Sequence, residues 1–211
     1  MSESAKPLSA DLVGKIRIEI LTERLRPDEK LTEQTLCDKY NVSRTPIREA
    51  LKNLEAEGLV QMIPNKGAFV VGLKPGEIRD LFILRMQCEM QAVRWAIERR
   101  TSDEMEAIEE SLDFMRFYTE RGDVKRMRPI NAKYHRNIAD ASHNRILIDY
   151  LTKIQDYLRY SSLVIPCRAD DLPVLLKEHI AIYSGFKKND PEAGALAMEK
   201  HIKNSMMRAI S

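Results

Sequence analysis

Cysteine is scarce in this 211-residue chain. Cys37, Cys88 and Cys167 are scattered, odd in number and form no Cys-x-x-Cys pair, which argues against a disulfide framework and against a cysteine zinc site. Aromatic residues make up 6% and glycines number eight, which disfavours a glycine-turned all-β fold. An excess of one charge is also missing: 34 Lys and Arg stand against 32 Asp and Glu, a net of +2. No bulk field draws the chain to nucleic acid, so any such binding must come from local placement of cations. The sequence has no run long enough to span a bilayer, no signal-peptide core, no low-complexity segment and no internal repeat. A reduced cytoplasmic location is the expectation. What is there is ordinary for a soluble globular protein, 44% hydrophobic and 31% charged, enough for one large or two small domains.

The stretch Ser43-Arg44-Thr45-Pro46-Ile47-Arg48 reads as the start of a helix that carries two arginines out of a fold. Ser43 is a good N-cap, because its hydroxyl can accept from a free first-turn amide. Pro46 falls in the first turn, where no amide proton is needed. Ile47, Ala50, Leu51 and Leu54 recur at helical spacing and face a core. Arg44 and Arg48 lie one above the other along the helix and flank that stripe. On their own they are either solvated surface cations or a pair suited to guanine edges and phosphates in a DNA major groove.

The flanking residues bear on that choice. Residues 1–8 read as a loose tail, and 9–25 as a helix on the stripe Leu12, Val13, Ile16, Ile20, Leu21 and Leu25. Arg26-Pro27-Asp28-Glu29 turns the chain, Thr32 caps a short helix, and Asn41-Val42 leads tightly into the Ser43 helix. Two short helices so joined form a helix-turn-helix, whose second member enters the groove. Gly58 suits a left-handed helix end. Residues 59–63 and 68–71 read as strands about a charged tip, Pro64-Asn65-Lys66-Gly67, a wing that brings Lys66 to the DNA backbone or minor groove.

Leu31-Thr-Glu, Val42-Ser-Arg-Thr-Pro-Ile-Arg-Glu-Ala-Leu, Glu57-Gly-Leu-Val and Asn65-Lys-Gly-Ala-Phe-Val together resemble the DNA-binding domain of the GntR family of bacterial transcription regulators. The resemblance implies that Arg44 and Arg48 contact the operator, assisted by Thr45 and by Lys66 and Gly67 of the wing. The family usually has Pro-Gly where this chain has Pro27-Asp28, and more often arginine at Lys66. One such small domain buries too little surface for tight specific binding, so a homodimer on a palindromic operator is expected.

Residues 73–76 read as a linker and 77–211 as a helical bundle, with helices over about 77–100, 103–121, 123–141, 144–164, 170–188 and 191–210. The breaks fall at Thr101-Ser102, Gly122, Ser142-His143, Pro166 and Asn189-Asp190-Pro191. The fold class is therefore mainly α: a winged helix-turn-helix at 9–72 followed by an all-α domain. Asn131 and His135 share the inward side of the third bundle helix, His179 sits mid-stripe on the fifth, and His201 at the edge of the stripe on the last. Buried imidazoles must be hydrogen-bonded or metal-bound, and three of them make a sound divalent-metal set. A polar, metal-free pocket stays open. Arg85 falls on the stripe Leu81, Leu84, Cys88, Ala92 and Trp95, and a buried guanidinium needs an anion: either Glu89 one turn on, or a ligand. His143 has no periodic argument and reads as a surface or helix-start residue.

Asn131-Ala-Lys-Tyr-His135, Ala141-Ser-His-Asn144, Glu178-His179 and His201 resemble the FCD effector domain of the FadR subgroup. Many members hold a metal on an Asp-x-x-Phe-His helix and two later histidines, which implies Asn131, His135, His179 and His201 as ligands and zinc or nickel as the ion. Asn131 stands where aspartate is usual; its oxygen can still ligate, with one negative charge fewer. The resemblance also implies a small carboxylate effector, with Arg85 and Asn144 as candidate contacts, and repression relieved by that effector. A three-histidine hydrolase fused to a DNA-binding domain is the enzymatic alternative, with Glu178 as a conceivable base that points about 100° around the helix from His179. No catalytic residue is expected.

Overall fold

In the computed structural model the described residues are 8–161 and 167–210. They fall into two compact units, one of residues up to 75 together with 160–161, the other of 76–159 and 167–210. No helix among them is long and apolar enough to cross a membrane.

The N-terminal unit runs α1 (Leu8–Leu21), β1 (Lys30–Leu31), α2 (Glu33–Tyr40), α3 (Arg44–Ala56), β2 (Val60–Ile63) and β3 (Gly67–Val70). Its core joins Leu12, Ile16 and Ile20 of α1 to Ile47, Ala50, Leu51 and Leu54 of α3, all essentially without solvent contact. Arg17 of α1 clamps Glu57, just past α3, with two hydrogen bonds of 2.6 and 2.8 Å. Hairpin strands β2 and β3 pair antiparallel from Val60↔Val70 to Ile63↔Gly67, leaving a three-residue tip at Pro64, Asn65 and Lys66. The two-residue strand β1 adds to the far side of β3, in the order β1-β3-β2.

Several local expectations change. Helix α1 stops at Leu21, where Glu23 takes φ 55°; Leu25 still reaches the core from the turn. Leu8 is already helical, and the remainder of the expected tail lies outside the described residues. Thr32 caps α2 by accepting from the Thr35 amide at 3.2 Å, and Asn41 closes α2 in the left-handed region. Ser43 occupies the N-cap of α3 in extended backbone, yet its hydroxyl makes no cap hydrogen bond. Asp28, standing where the family usually has glycine, adopts φ 65°, a conformation aspartate tolerates better than most residues. The turn survives because the Asp28 amide donates to Val70 O and the Val70 amide to Glu29 O, each at 2.9 Å.

The C-terminal unit comprises α4 (Pro75–Arg99), α5 (Ser102–Glu120), α6 (Val124–Ala141), α7 (Arg145–Tyr160), a 3-10 turn (Ala169–Asp171), α8 (Leu172–Lys188) and α9 (Pro191–Ile210). Helix α4 takes up Pro75 and Gly76, so the irregular connection is shorter than the expected linker at 73–76. Helix α7 ends at Tyr160; the rest of its expected span and the break at Pro166 belong to 162–166, outside the described residues. A complete capping box starts α5, with Thr101 and Glu104 each accepting from the other's amide. The buried stripe of α4 is rotated from the expected one. It runs through Ile78, Phe82, Glu89, Val93 and Ala96, whereas Leu84 is 50% exposed.

Helices α8 and α9 form an antiparallel pair that closes on two glycines. A Cβ added at Gly185 would stand 2.5 Å from the Gly194 Cα, and one at Gly194 would stand 2.8 Å from Ile97 Cδ1. Side-chain-free contact lets the two backbones touch there. His179 and His201 each lie just under two turns from this crossing, on the same side of it along the pair. The crossing therefore sets the level at which the two imidazoles meet.

Candidate functional sites: an arginine surface and a histidine centre

Arg44, Thr45 and Arg48 are exposed at the N-terminal end of α3, opposite its buried stripe. Lys66 and Gly67 are exposed at the hairpin tip. Neither arginine hangs free. Arg48 Nε donates to Glu33 Oε1 at 2.7 Å, and Arg44 Nη2 donates to Gln34 Oε1 at 3.1 Å, so the first turn of α2 supplies both acceptors. These two acceptors gave no sequence signal beyond polar residues opening a helix.

In the C-terminal unit, α6, α8 and α9 bring His135, His179 and His201 together, each buried, with ligand nitrogens all within 4.8 Å of one another. Their outer nitrogens are each tied to an acceptor. His135 Nδ1 bonds Glu89 Oε2, His179 Nδ1 bonds its own helix at Leu175 O (2.7 Å), and His201 Nδ1 bonds Glu178 Oε2 (2.8 Å). Ionised carboxylates and a carbonyl can only accept, so each Nδ1 carries the proton and each Nε2 keeps its lone pair. His201 Nε2 and His135 Nε2 stand 3.2 Å apart. Two lone pairs at that distance repel unless a cation or proton lies between them. The spacing matches the edge of about 3.3 Å expected for a tetrahedron with bonds of roughly 2.0–2.1 Å.

Two of the buried atoms left without a partner are His179 Nε2, in the cluster, and Asn131 Oδ1 on α6, one helical turn before His135. Burial of unsatisfied polar atoms is costly. A cation accepting lone pairs from the imidazoles and from Asn131 fits these donors. Burial, and then the neighbouring imidazoles, hold His179 well below its usual value; burial likewise takes His201 down to about 4 against the pull of Glu178, with the Arg85 guanidinium assisting. Both rings are thus neutral near pH 7, the form a metal requires. Tyr134 packs its ring edge-on to His179, with centroids 4.9 Å apart, and its hydroxyl donates to His179 O at 3.3 Å.

Two carboxylates behind the imidazoles complete the centre. Glu89, 2% exposed, takes Arg85 Nε at 2.7 Å on one oxygen and His135 on the other. Burial alone would raise its carboxyl, but His135 and Arg85 outweigh that and hold it far below the usual range. Glu178 accepts His201 at 2.8 Å, Asn204 at 2.7 Å, and both terminal nitrogens of Arg208 at 3.0 and 2.9 Å. Burial opposes its ionisation, yet these hydrogen bonds bring it to about 2. With both oxygens doubly engaged, Glu178 has no lone pair directed at a substrate and cannot serve as the base of a hydrolase. Such outer partners orient metal-binding imidazoles. Of these residues, sequence pairing found Glu89 only as a partner for Arg85, and it missed Asn204 and Arg208.

The remaining candidates differ in their surroundings. Asn144 Oδ1 accepts from the Leu147 amide at 3.0 Å and so caps α7. His143 is exposed, takes φ 54° and bonds Glu104 at 2.9 Å, a surface residue at a helix break. Arg85 is 13% exposed, and among the described residues only its Nε is engaged, which leaves two terminal amino groups beside the centre.

The architecture defines a class: a winged helix-turn-helix that presents arginines, joined in one chain to an all-α domain with an enclosed polar centre. Residues 8–70 match the model for bacterial regulatory proteins of the gntR family, and residues 80–204 match the FCD domain. The chain belongs to the GntR family of transcriptional regulators, in the FadR-like branch that carries an FCD domain. It is 26% identical to the Escherichia coli repressor RspR over 93% of this chain and 86% of that protein. It is also 26% identical to the uncharacterised Bacillus subtilis regulator YdhC, over 89% of this chain and 84% of that one. The solved structure of E. coli McbR/YncC superposes with a TM-score of 0.70 at 18% identity, over 96% of both chains. These families and relatives are transcriptional regulators and not enzymes, which excludes the hydrolase alternative.

Proposed function

We propose that the protein is a cytoplasmic, homodimeric, metabolite-responsive repressor. It reads a palindromic operator through Arg44, Thr45 and Arg48, with Lys66 and Gly67 of the wing on the adjoining backbone. The C-terminal unit holds a divalent cation, zinc or nickel, on His135, His179 and His201 with Asn131 completing the set. The N-terminal unit is the reader and the C-terminal unit the sensor and dimerisation domain. The observation that carries the reading is the convergence of three imidazoles whose Nδ1 atoms are each tied to an acceptor, and the orphaned Asn131 oxygen one helical turn before His135 supports it. When bound, the cation supplies a Lewis acid for one oxygen of a small carboxylate. Arg85, whose Nε alone is engaged among the described residues, would pair with the same anion through its terminal amino groups, and Asn144 is a further candidate contact. The effector shifts the population between states of different operator affinity, and by linkage operator DNA shifts effector affinity by the same factor.

The test is elemental analysis and native mass spectrometry of protein purified without a histidine tag. Bound zinc or nickel is the expected result. Operator affinity is then titrated with small mono- and dicarboxylates, with and without a chelator. Absence of metal together with an intact carboxylate response would replace this reading with a metal-free polar pocket. Loss of response to every acid in the chelated protein supports the metal-dependent one.

A further inference from the structure

We infer that Glu33 is a positioning residue for base reading: it holds Arg48 by Nε and so aims the two terminal nitrogens of that guanidinium at one base edge. The inference rests on the reading that Arg48 enters the major groove.

An exposed arginine samples many rotamers, and ordering it on DNA costs side-chain entropy. Arg48 is 60% exposed, yet its Nε lies 2.7 Å from Glu33 Oε1. Glu33 is itself well placed to act as an anchor. It is the first residue of α2, next to Thr32, whose hydroxyl caps the helix through the Thr35 amide and also meets the Thr35 hydroxyl at 2.6 Å. A guanidinium is planar, so fixing one N–H toward an acceptor fixes the plane and the direction of the other donors. With Nε occupied, the end-on pair Nη1 and Nη2 remains for guanine O6 and N7.

Arg44 is held differently. Its acceptor, Gln34, is neutral, the contact is longer at 3.1 Å, and it occupies a terminal nitrogen. Gln34 takes one of the terminal N–H groups of Arg44, whereas Glu33 takes none from the terminal pair of Arg48. Arg48 is therefore the preorganised reader of the two. Glu33 also brings a negative charge to the face that meets phosphates, which lowers affinity for every duplex regardless of sequence. The positioning effect raises the ratio of specific to non-specific binding, and the charge lowers the affinity of both complexes alike.

The experiment uses the full-length dimer and a duplex selected by the wild-type protein from a randomised pool. The comparison set contains single G·C-to-A·T variants of that duplex and a scrambled duplex. Glu33→Ala is expected to weaken discrimination at one guanine position by about tenfold and to tighten scrambled-duplex binding several-fold. Glu33→Gln keeps the acceptor without the charge, so it should retain the discrimination while still tightening non-specific binding. Unchanged guanine discrimination in Glu33→Ala, with a folded protein by circular dichroism, overturns the inference. If Glu33→Ala melts early, the near-isosteric Glu33→Met, which also removes the acceptor, takes its place: retained guanine discrimination refutes the positioning role, and unchanged scrambled-duplex affinity in Glu33→Gln refutes the electrostatic part. Arg48→Ala in the same assay separates the two failures. If it loses discrimination and Glu33→Ala does not, only the role of Glu33 fails; if it keeps discrimination, the groove assignment itself fails.

Discussion

On the N-terminal unit, Arg48 stands exposed with a single carboxylate at its Nε; on the C-terminal unit, His179 is fully enclosed, one nitrogen tied to its own helix and the other facing two imidazoles. Water can satisfy whatever Arg48 leaves unpaired, so its surroundings need to specify little and one acceptor suffices. No water competes at His179, and every polar atom around it must find a partner within the fold. That is why Glu89, Glu178, Asn204 and Arg208 gather behind the other two imidazoles, while among the described residues Glu33 and Gln34 alone accept from the two arginines. Damage to the enclosed site should be all-or-none, and damage to the exposed site graded.

The largest expected effect tests the first half of that contrast. His179→Ala removes one of the three proposed ligands from an enclosed site. Bound metal in the purified protein should fall to background, while operator selectivity in the absence of effector stays near wild type. Substantial metal retained by His179→Ala would break the contrast, because it would mean that solvent or Asn131 can substitute for a buried ligand.

Next in size is Gly185→Ala. Its added Cβ would lie 2.5 Å from the backbone of Gly194, where no flexible side chain can give way. Overpacking of this kind costs about 1–3 kcal/mol, occasionally more. Because the same crossing sets the level of His179 and His201, metal affinity should fall together with thermal stability. Both are read on one sample, by calorimetry and by competition with a chromogenic chelator. A destabilised protein with wild-type metal affinity would show that the crossing does not set the imidazole register.

The same contrast explains what was legible in the sequence. Ile47, Ala50, Leu51 and Leu54 announce the inner face of α3, and three histidines on apolar stripes announce an enclosed polar centre, because periodicity records burial. It does not record where a polar side chain ends. Glu178 is conceivable as a base from its residue type, although it points about 100° around the helix from His179, and its carboxylate serves His201 on the next helix. Glu89 was visible as the neighbour of Arg85 one turn away, and its second oxygen meets His135 on α6. The stripe on α4 differs from the expected one because apolar periodicity does not reveal a buried carboxylate, and the buried face there carries Glu89. Two residues are too few for a period, so β1 left no trace until β3 paired with it. Ser43 has the right residue type at the right position without the hydrogen bond, since propensity reports an average over many helices and not the orientation of one hydroxyl.

The smallest expected effect belongs to Lys66→Ala. Lys66 is exposed at the hairpin tip, and its loss should disturb nothing inside the fold. A lysine on the wing contributes a point charge to phosphate rather than a fork to a base, so its removal should weaken selected and scrambled duplexes alike. The logarithm of the association constant, plotted against that of salt concentration, should lose about one unit of slope, the signature of one phosphate contact. Thermal stability and metal content should not move. A selective loss at one base position, with the salt slope intact, would make the wing a base reader. The exposed site would then depend on two elements, α3 and the hairpin, held in fixed relation, and the graded response expected of it would give way to the cooperative response of the enclosed one.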